Sequence, residues 1–156
     1  MKHIENLIRE NLVFLDMEAS SKEDAFRKIA CRIAECECVE RDASADLCER
    51  LTQREEIGTT AVGGGIAIPH AYYENLSEPM IAFARLIRPI DFEADDKMPV
   101  DKIFFLVGRK RNDTEHLMIL ARLARLLKDE KFRNQLDSLS SGAELMEAIN
   151  EVESRH

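Results

Sequence analysis

No stretch of this sequence stays apolar for more than a few residues, so nothing in it is long enough to span a bilayer. The N-terminus, MKHIENLIRE, lacks the apolar segment of a signal peptide. Both absences point to a cytoplasmic protein without membrane insertion. An excess of positive charge is missing as well. The net charge is -8, which argues against nucleic-acid binding, because that needs a basic face to displace counterions. Neither G-x-G-x-x-G nor G-x4-G-K-[ST] occurs, which weakens any nucleotide-binding reading. The cysteines Cys31, Cys36, Cys38 and Cys48 match no common zinc spacing. If residues 22–37 form a helix, Cys36 falls on its apolar face. Reduced cysteines in or near the core are therefore the first reading, with a metal or redox role as the alternative. No carboxylate cluster demands a metal, and no cofactor is expected. No repeat or low-complexity linker divides the chain, so its 156 residues are expected to form one domain, 1–156.

What is present is an ordinary globular composition, 45% apolar and 33% charged. Ile4, Leu7 and Ile8 open a short apolar-periodic piece, and Leu12 to Leu15 reads as a strand. Ser20 or Ser21 caps a helix over 22–37, whose apolar positions Ala25, Phe26, Ile29 and Ile33 recur at helical spacing. A second helix covers Ser44 to Arg54. Thr59 to Val62 and Ile66 to Ile68 are short strands separated by Gly63, Gly64 and Gly65. Met80 to Leu86 is a strand that Pro89 ends, and KIFFLV (102–107) is a buried central strand. Asp113 or Thr114 caps a helix to about Lys128. Shorter helices follow near Asp129 to Leu136 and Gly142 to Val152. Strands and helices alternate irregularly, which fits an α/β (α+β) fold with a mixed central sheet covered by helices.

The candidate site lies in REEIGTTAVGGGIAIPHA (54–71). Of the four histidines, His3 and His156 stand near the termini without a supporting motif. His70 differs. Pro69 stiffens the approach to it, and Ile66-Ala67-Ile68 can run as a strand that delivers it at its end. The three glycines allow backbone conformations closed to other residues and the close approach of a ligand or partner. A glycine turn is also compatible with a purely structural role. His116 opens a helix whose apolar face carries Leu120, Leu123 and Leu127, so it points coreward. It is either a hydrogen-bonded buried histidine or a pocket partner of His70. The helix N-terminus favours an anion and disfavours a protonated imidazole there. Arg54 is a solvated helix-end residue or, alternatively, a phosphate clamp. Arg109, Lys110 and Arg111 form a local basic run, either a solvated loop or a docking patch for an acidic partner.

The segment REEIGTTAVGGGIAIPHA resembles the active-site segment of the type-2 enzyme IIA domains of the bacterial phosphoenolpyruvate-dependent sugar phosphotransferase system. These are the fructose-, mannitol- and nitrogen-related IIA proteins. The resemblance continues in RLIRPIDFEADDKMPVDKIFFLV and in EHLMILARLARLL, in the family's order. Together they span roughly residues 50–128. The resemblance implies a mixed sheet with helices on both faces. It implies that His70 is phosphorylated on Nε2 by the small phosphocarrier protein HPr or a paralogue. It implies that Arg54 stabilises the phosphoryl charge, and that His116 hydrogen-bonds the phosphoryl group or the first imidazole.

Phosphoryl transfer of this kind asks the protein mainly to position and neutralise, and it requires no metal. One ring nitrogen of His70 attacks while the other keeps its proton, held by a backbone carbonyl that the glycine turn brings close. An apolar surround from Ile66, Ile68 and the 116–127 helix limits hydrolysis. The sequence departs from the family pattern in places. Gly64 stands where nitrogen-type members often carry Asn, and Thr59-Thr60-Ala61 replaces Ser-Thr-Gly. Val107 to Arg111 replaces a more apolar, Pro-containing loop. Three readings of function follow. The first is a nitrogen-type regulatory IIA acting through protein contacts. The second is a sugar-transport IIA that passes phosphate to a IIB domain. The third is a protein-binding module that is not phosphorylated. The absence of an attached IIB or membrane segment favours the first.

Overall fold

A computed structural model describes residues 3–155 apart from residues 37, 38, 41, 75 and 111. Cys38, Arg111 and His156, singled out above, lie outside the described residues. A 3-10 turn (Ile4–Asn6) leads into β1 (Ile8–Met17), and α1 (Lys22–Glu35) and α2 (Ser44–Ile57) follow. β2 (Ala61–Gly63) and β3 (Ile66–Ala67) flank the glycines, and β4 (His70–Tyr73) starts at the histidine. β5 (Met80–Ile90), β6 (Val100–Arg109), α3 (Asp113–Leu126), α4 (Glu130–Gln135) and α5 (Gly142–Glu153) complete the chain.

The helix starts follow their side-chain chemistry. Ser21 accepts a hydrogen bond from the Asp24 amide, Asp129 from Phe132 and Ser141 from Glu144, each satisfying a free first-turn N–H. At α3 the cap is Asn112, which accepts from the Glu115 amide, instead of the expected Asp113 or Thr114. β1 and β5 run well beyond their expected bounds. β1 begins at Ile8 because its polar residues Arg9, Glu10 and Asn11 face solvent, a pattern an edge strand tolerates. β5 runs through Pro89 to Ile90. The ladder with β6 is irregular between Arg85 and Ile90, and pairing with β1 stops at Leu86, so the missing proline N–H costs no ladder bond there.

One mixed sheet results, in the order β1-β5-β6-β3-β2 with β4 also on β6. β5 and β6 pair antiparallel; β1–β5, β3–β6 and β4–β6 are parallel. The two-residue alternation of the central strands serves both faces. Ile103, Phe105 and Val107 of β6 pack with Phe26, Ile29, Leu47 and Leu51 of α1 and α2. Phe104 and Leu106 pack with Ile119, Leu123, Leu145 and Ile149 of α3 and α5. Helices thus cover both faces, as expected. At about 25 cal/mol per Å2 each buried Phe, Leu or Ile contributes roughly 1.5–3 kcal/mol, so both layers hold the sheet. Cys36 and Cys48 pack against the first of these clusters, and the Cys36 thiol donates to the Ile33 carbonyl.

Candidate functional site

His70 opens β4, directly after the chain has broken and resumed its pairing with β6. β3 pairs Ile66 with Lys102 and Ala67 with Ile103, and β4 pairs His70 with Leu106 and Ala71 with Val107. The register is kept across Ile68 and Pro69. His70 therefore opens a strand of its own instead of closing the Ile66–Ile68 one. Pro69 has no N–H to give, but its carbonyl accepts from Leu106 N at 2.9 Å. Ile68 N donates to Thr60 O at 3.0 Å. The Ile68 carbonyl meets the imidazole: His70 Nδ1 lies 2.9 Å from it.

The other ring nitrogen faces Arg54, in the last turn of α2. Arg54 Nε donates to His70 Nε2 at 3.1 Å, while its Nη1 donates to the Gly58 carbonyl at 3.0 Å. A guanidinium can only donate, so Nε2 must carry the lone pair. A carbonyl can only accept, so Nδ1 must carry the proton. The two contacts together select a neutral ring with its nucleophilic pair on Nε2. Burial is the leading cause that holds the His70 pKa below the usual imidazole value. The Ile68 carbonyl opposes this, the Arg54 charge adds to it, and Glu55 opposes it.

His116 is 3% exposed and lies against His70, with ring centroids 5.2 Å apart. It also packs on Tyr72, at 4.4 Å between centroids. Neither of its ring nitrogens has a hydrogen-bond partner among the described residues, so it makes no bond to the His70 ring. Its pKa is pushed down to about 4, first by burial and then by His70, against the pull of Asp113 and Glu115. Desolvation is the leading cause of the neutral ring.

Two neighbours of the site were not legible in sequence. Tyr72 flanks His116 on the same strand face as His70, because alternate residues of β4 share a face. Gly108 lies within β6 and provides room for the His116 ring: a Cβ there would sit 2.3 Å from its Nδ1. A single glycine at the end of an apolar strand was the available signal.

The glycine turn is not at the histidine. Gly63, Gly64 and Gly65 adopt φ of +93°, +67° and +81°, the left-handed region that favours glycine. Gly65 O accepts from Asp101 N, whereas His70 pairs with Leu106, five residues further along β6. At ~3.3 Å per residue that separates them by about 16 Å. The carbonyl that holds Nδ1 comes from the Pro69 break instead. The basic run also changes its meaning. Arg109 pairs with Glu115 and donates to the Ser77 carbonyl, and Lys110 pairs with Glu74 at 2.8 Å. Both described members are tied to acids of the chain itself. No group of three or more potential metal ligands occurs among the described residues. Nor is any described helix long and apolar enough to cross a membrane.

A hydrogen-bonded imidazole, a guanidinium on its lone pair and a second, unpartnered imidazole suit the transfer of an anionic group. The family model for the phosphoenolpyruvate-dependent sugar phosphotransferase system, EIIA 2, matches residues 6–152. The chain belongs to this family. It is a IIA component of the phosphotransferase system, a carrier of phosphoryl groups. Among relatives of this EIIA protein, a nitrogen regulatory protein of Bradyrhizobium diazoefficiens is 40% identical over 133 residues, 85% of either chain. A fructose-specific EIIA component of Haloferax volcanii is 38% identical over 72% of this chain and 71% of its own. The crystal structure of the nitrogen regulatory protein IIA-Ntr from Neisseria meningitidis superposes with a TM-score of 0.84. It is 32% identical, over 94% of this chain and 98% of that one.

Proposed function

We propose that His70 is the phosphoryl acceptor and that its Nε2 makes the new bond. One observation carries this reading: Arg54 and the Ile68 carbonyl hold opposite edges of the same ring, leaving the lone pair on Nε2. In the reaction the Nε2 pair forms a P–N bond as the donor's P–N bond breaks, its electrons staying with the donor nitrogen. No co-reactant is needed. The ring gains positive character as the bond forms, and the Nδ1–H to Ile68 bond stabilises that charge. Arg54 loses its partner on Nε2 and takes the phosphoryl oxygens instead, a charge-assisted contact. His116, buried with both nitrogens unpartnered, turns an N–H to the same oxygens and relieves its own desolvation. The donor is HPr or a paralogue, and the setting is the cytoplasm.

Within the family, the protein acts as a nitrogen-type regulatory IIA over residues 1–156. The nitrogen regulatory relatives at 40% and 32% identity support this assignment. Phosphorylation adds about two negative charges beside Arg54 and the neutral ring of His116, enough to change which protein surface docks there. The fructose-specific relative supports a second reading, in which the phosphoryl group passes to a IIB domain. The test is to phosphorylate the protein with phosphoenolpyruvate, enzyme I and HPr, then add a fructose-type IIB domain. The regulatory reading expects the label to stay on the protein. Rapid transfer to IIB would favour the transport reading, and no label at all would remove both.

A further inference from the structure

We propose that Glu55 is a positioning residue for His70, acting through Thr60 and Ile68. Glu55 follows Arg54 on α2 but turns the other way, and it is only 7% exposed. Both of its carboxylate oxygens hold one residue: Oε1 accepts from Thr60 N at 3.1 Å and Oε2 from Thr60 Oγ1 at 2.6 Å. Thr60 is itself buried, and its carbonyl accepts from Ile68 N at 3.0 Å. The Ile68 carbonyl is the one that takes the His70 Nδ1–H. A relay of hydrogen bonds therefore runs from the carboxylate to the ring nitrogen opposite the nucleophile. Lys22 Nζ, 3.5 Å from Oε1, supports the buried charge from α1.

The relay does what the Pro69 break leaves undone. Ile68 and Pro69 sit where the β3–β4 pairing is interrupted, so only one side of this linker is held by β6. Glu55 holds the other side through Thr60, just ahead of β2. A free histidine prefers its proton on Nε2, which would leave no lone pair there for attack. The protein must impose the opposite tautomer, and it does so from two directions with neighbouring residues: Arg54 on Nε2, and Glu55, through its relay, on Nδ1. Removing the carboxylate strands a buried N–H and a buried hydroxyl, which Thr60 can satisfy only by moving. Ile68 moves with it.

This inference rests on His70 as the acceptor, so its test has a readout that needs no phosphate. The nitrogen chemical shifts of His70 in the unphosphorylated protein report the tautomer, and transfer from phospho-HPr is timed in parallel. The wild type is expected to show one tautomer, protonated on Nδ1. Glu55→Ala is expected to show a mixture of both tautomers and transfer slowed about tenfold or more, the scale of a displaced reacting group. Glu55→Gln keeps an acceptor for Thr60 N and can donate to its hydroxyl, and is expected to retain the wild-type tautomer. A folded Glu55→Ala with the wild-type tautomer would overturn the proposal, whatever its rate. Should Glu55→Ala not fold, Glu55→Met decides, because it fills the space of the side chain without accepting from Thr60: a tautomer mixture supports the relay, and an unchanged ring overturns it. Failure of the wild type to take phosphate would instead overturn the acceptor assignment, with the tautomer shifts still judging the relay.

Discussion

His116 is a titratable ring that the fold keeps neutral. Its pKa of about 4, against an ordinary 6.5, means the folded chain binds that proton less readily than the unfolded chain. Between those values the unfolded state holds the extra proton. Stability is therefore fully present above pH 6.5 and is lost as pH falls toward 4. The residue's share is on the order of 3 kcal/mol. Urea unfolding at pH 7.5 and 4.5 should show a smaller acid loss in His116→Gln than in the wild type; equal losses would contradict the assignment. At Arg54 the consequence is kinetic. Its guanidinium donates to Nε2 and, on the proposed reaction, then faces the phosphoryl charge, so Arg54→Ala should slow phosphorylation about 10²-fold, the usual effect of deleting one preorganised donor. Stopped-flow transfer from phospho-HPr measures it. His70 was legible as a residue because the Pro-His pair is distinctive. Its backbone acceptor was legible in kind only. Which carbonyl it would be depended on β4 starting at His70, and HAYY after a proline carries no signal that separates a strand from a loop.

At the scale of elements, glycine plays two separate parts. Gly108 makes room: an added methyl would strike the His116 ring at 2.3 Å, and the buried ring cannot move freely. Gly108→Ala should cost roughly 1–3 kcal/mol in thermal or urea unfolding, as overpacking does, and should slow phosphorylation with it. Gly64 answers to backbone conformation alone. Its φ is +67°, and nothing lies within 4 Å of an added Cβ. Asn tolerates this region better than other side chains, so Gly64→Asn should be neutral or stabilise by up to about 1 kcal/mol. The distance of this turn from His70 predicts an unchanged transfer rate. α1 was legible because Ser21 and the Ala25–Phe26–Ile29–Ile33 periodicity agree. β5 was misjudged at Pro89 because a proline stops a strand only where the ladder needs its N–H. That is a fact about the neighbouring strands, outside the local sequence.

The whole molecule brings together residues from three distant parts of the chain, around positions 54, 68–70 and 116. α2 supplies Arg54, the Ile68–Pro69 break supplies the acceptor, β4 supplies His70 and the first turn of α3 supplies His116. The layered fold was readable because MIAFARLI and KIFFLV alternate their large residues between two faces, each with helices to cover it. The convergence was readable only through family resemblance, since no local pattern links positions 54, 70 and 116. On the proposed function, this convergence makes Nε2 of His70 the phosphoryl acceptor. The most direct test is phosphorylation by phosphoenolpyruvate, enzyme I and HPr of protein labelled with nitrogen-15 in histidine, followed by phosphorus–nitrogen NMR. The expected result is one acid-labile phosphoryl group, coupled to Nε2 of His70 and absent in His70→Ala. Coupling to Nδ1, a phosphoryl group that survives in His70→Ala, or no phosphorylation at all would contradict it.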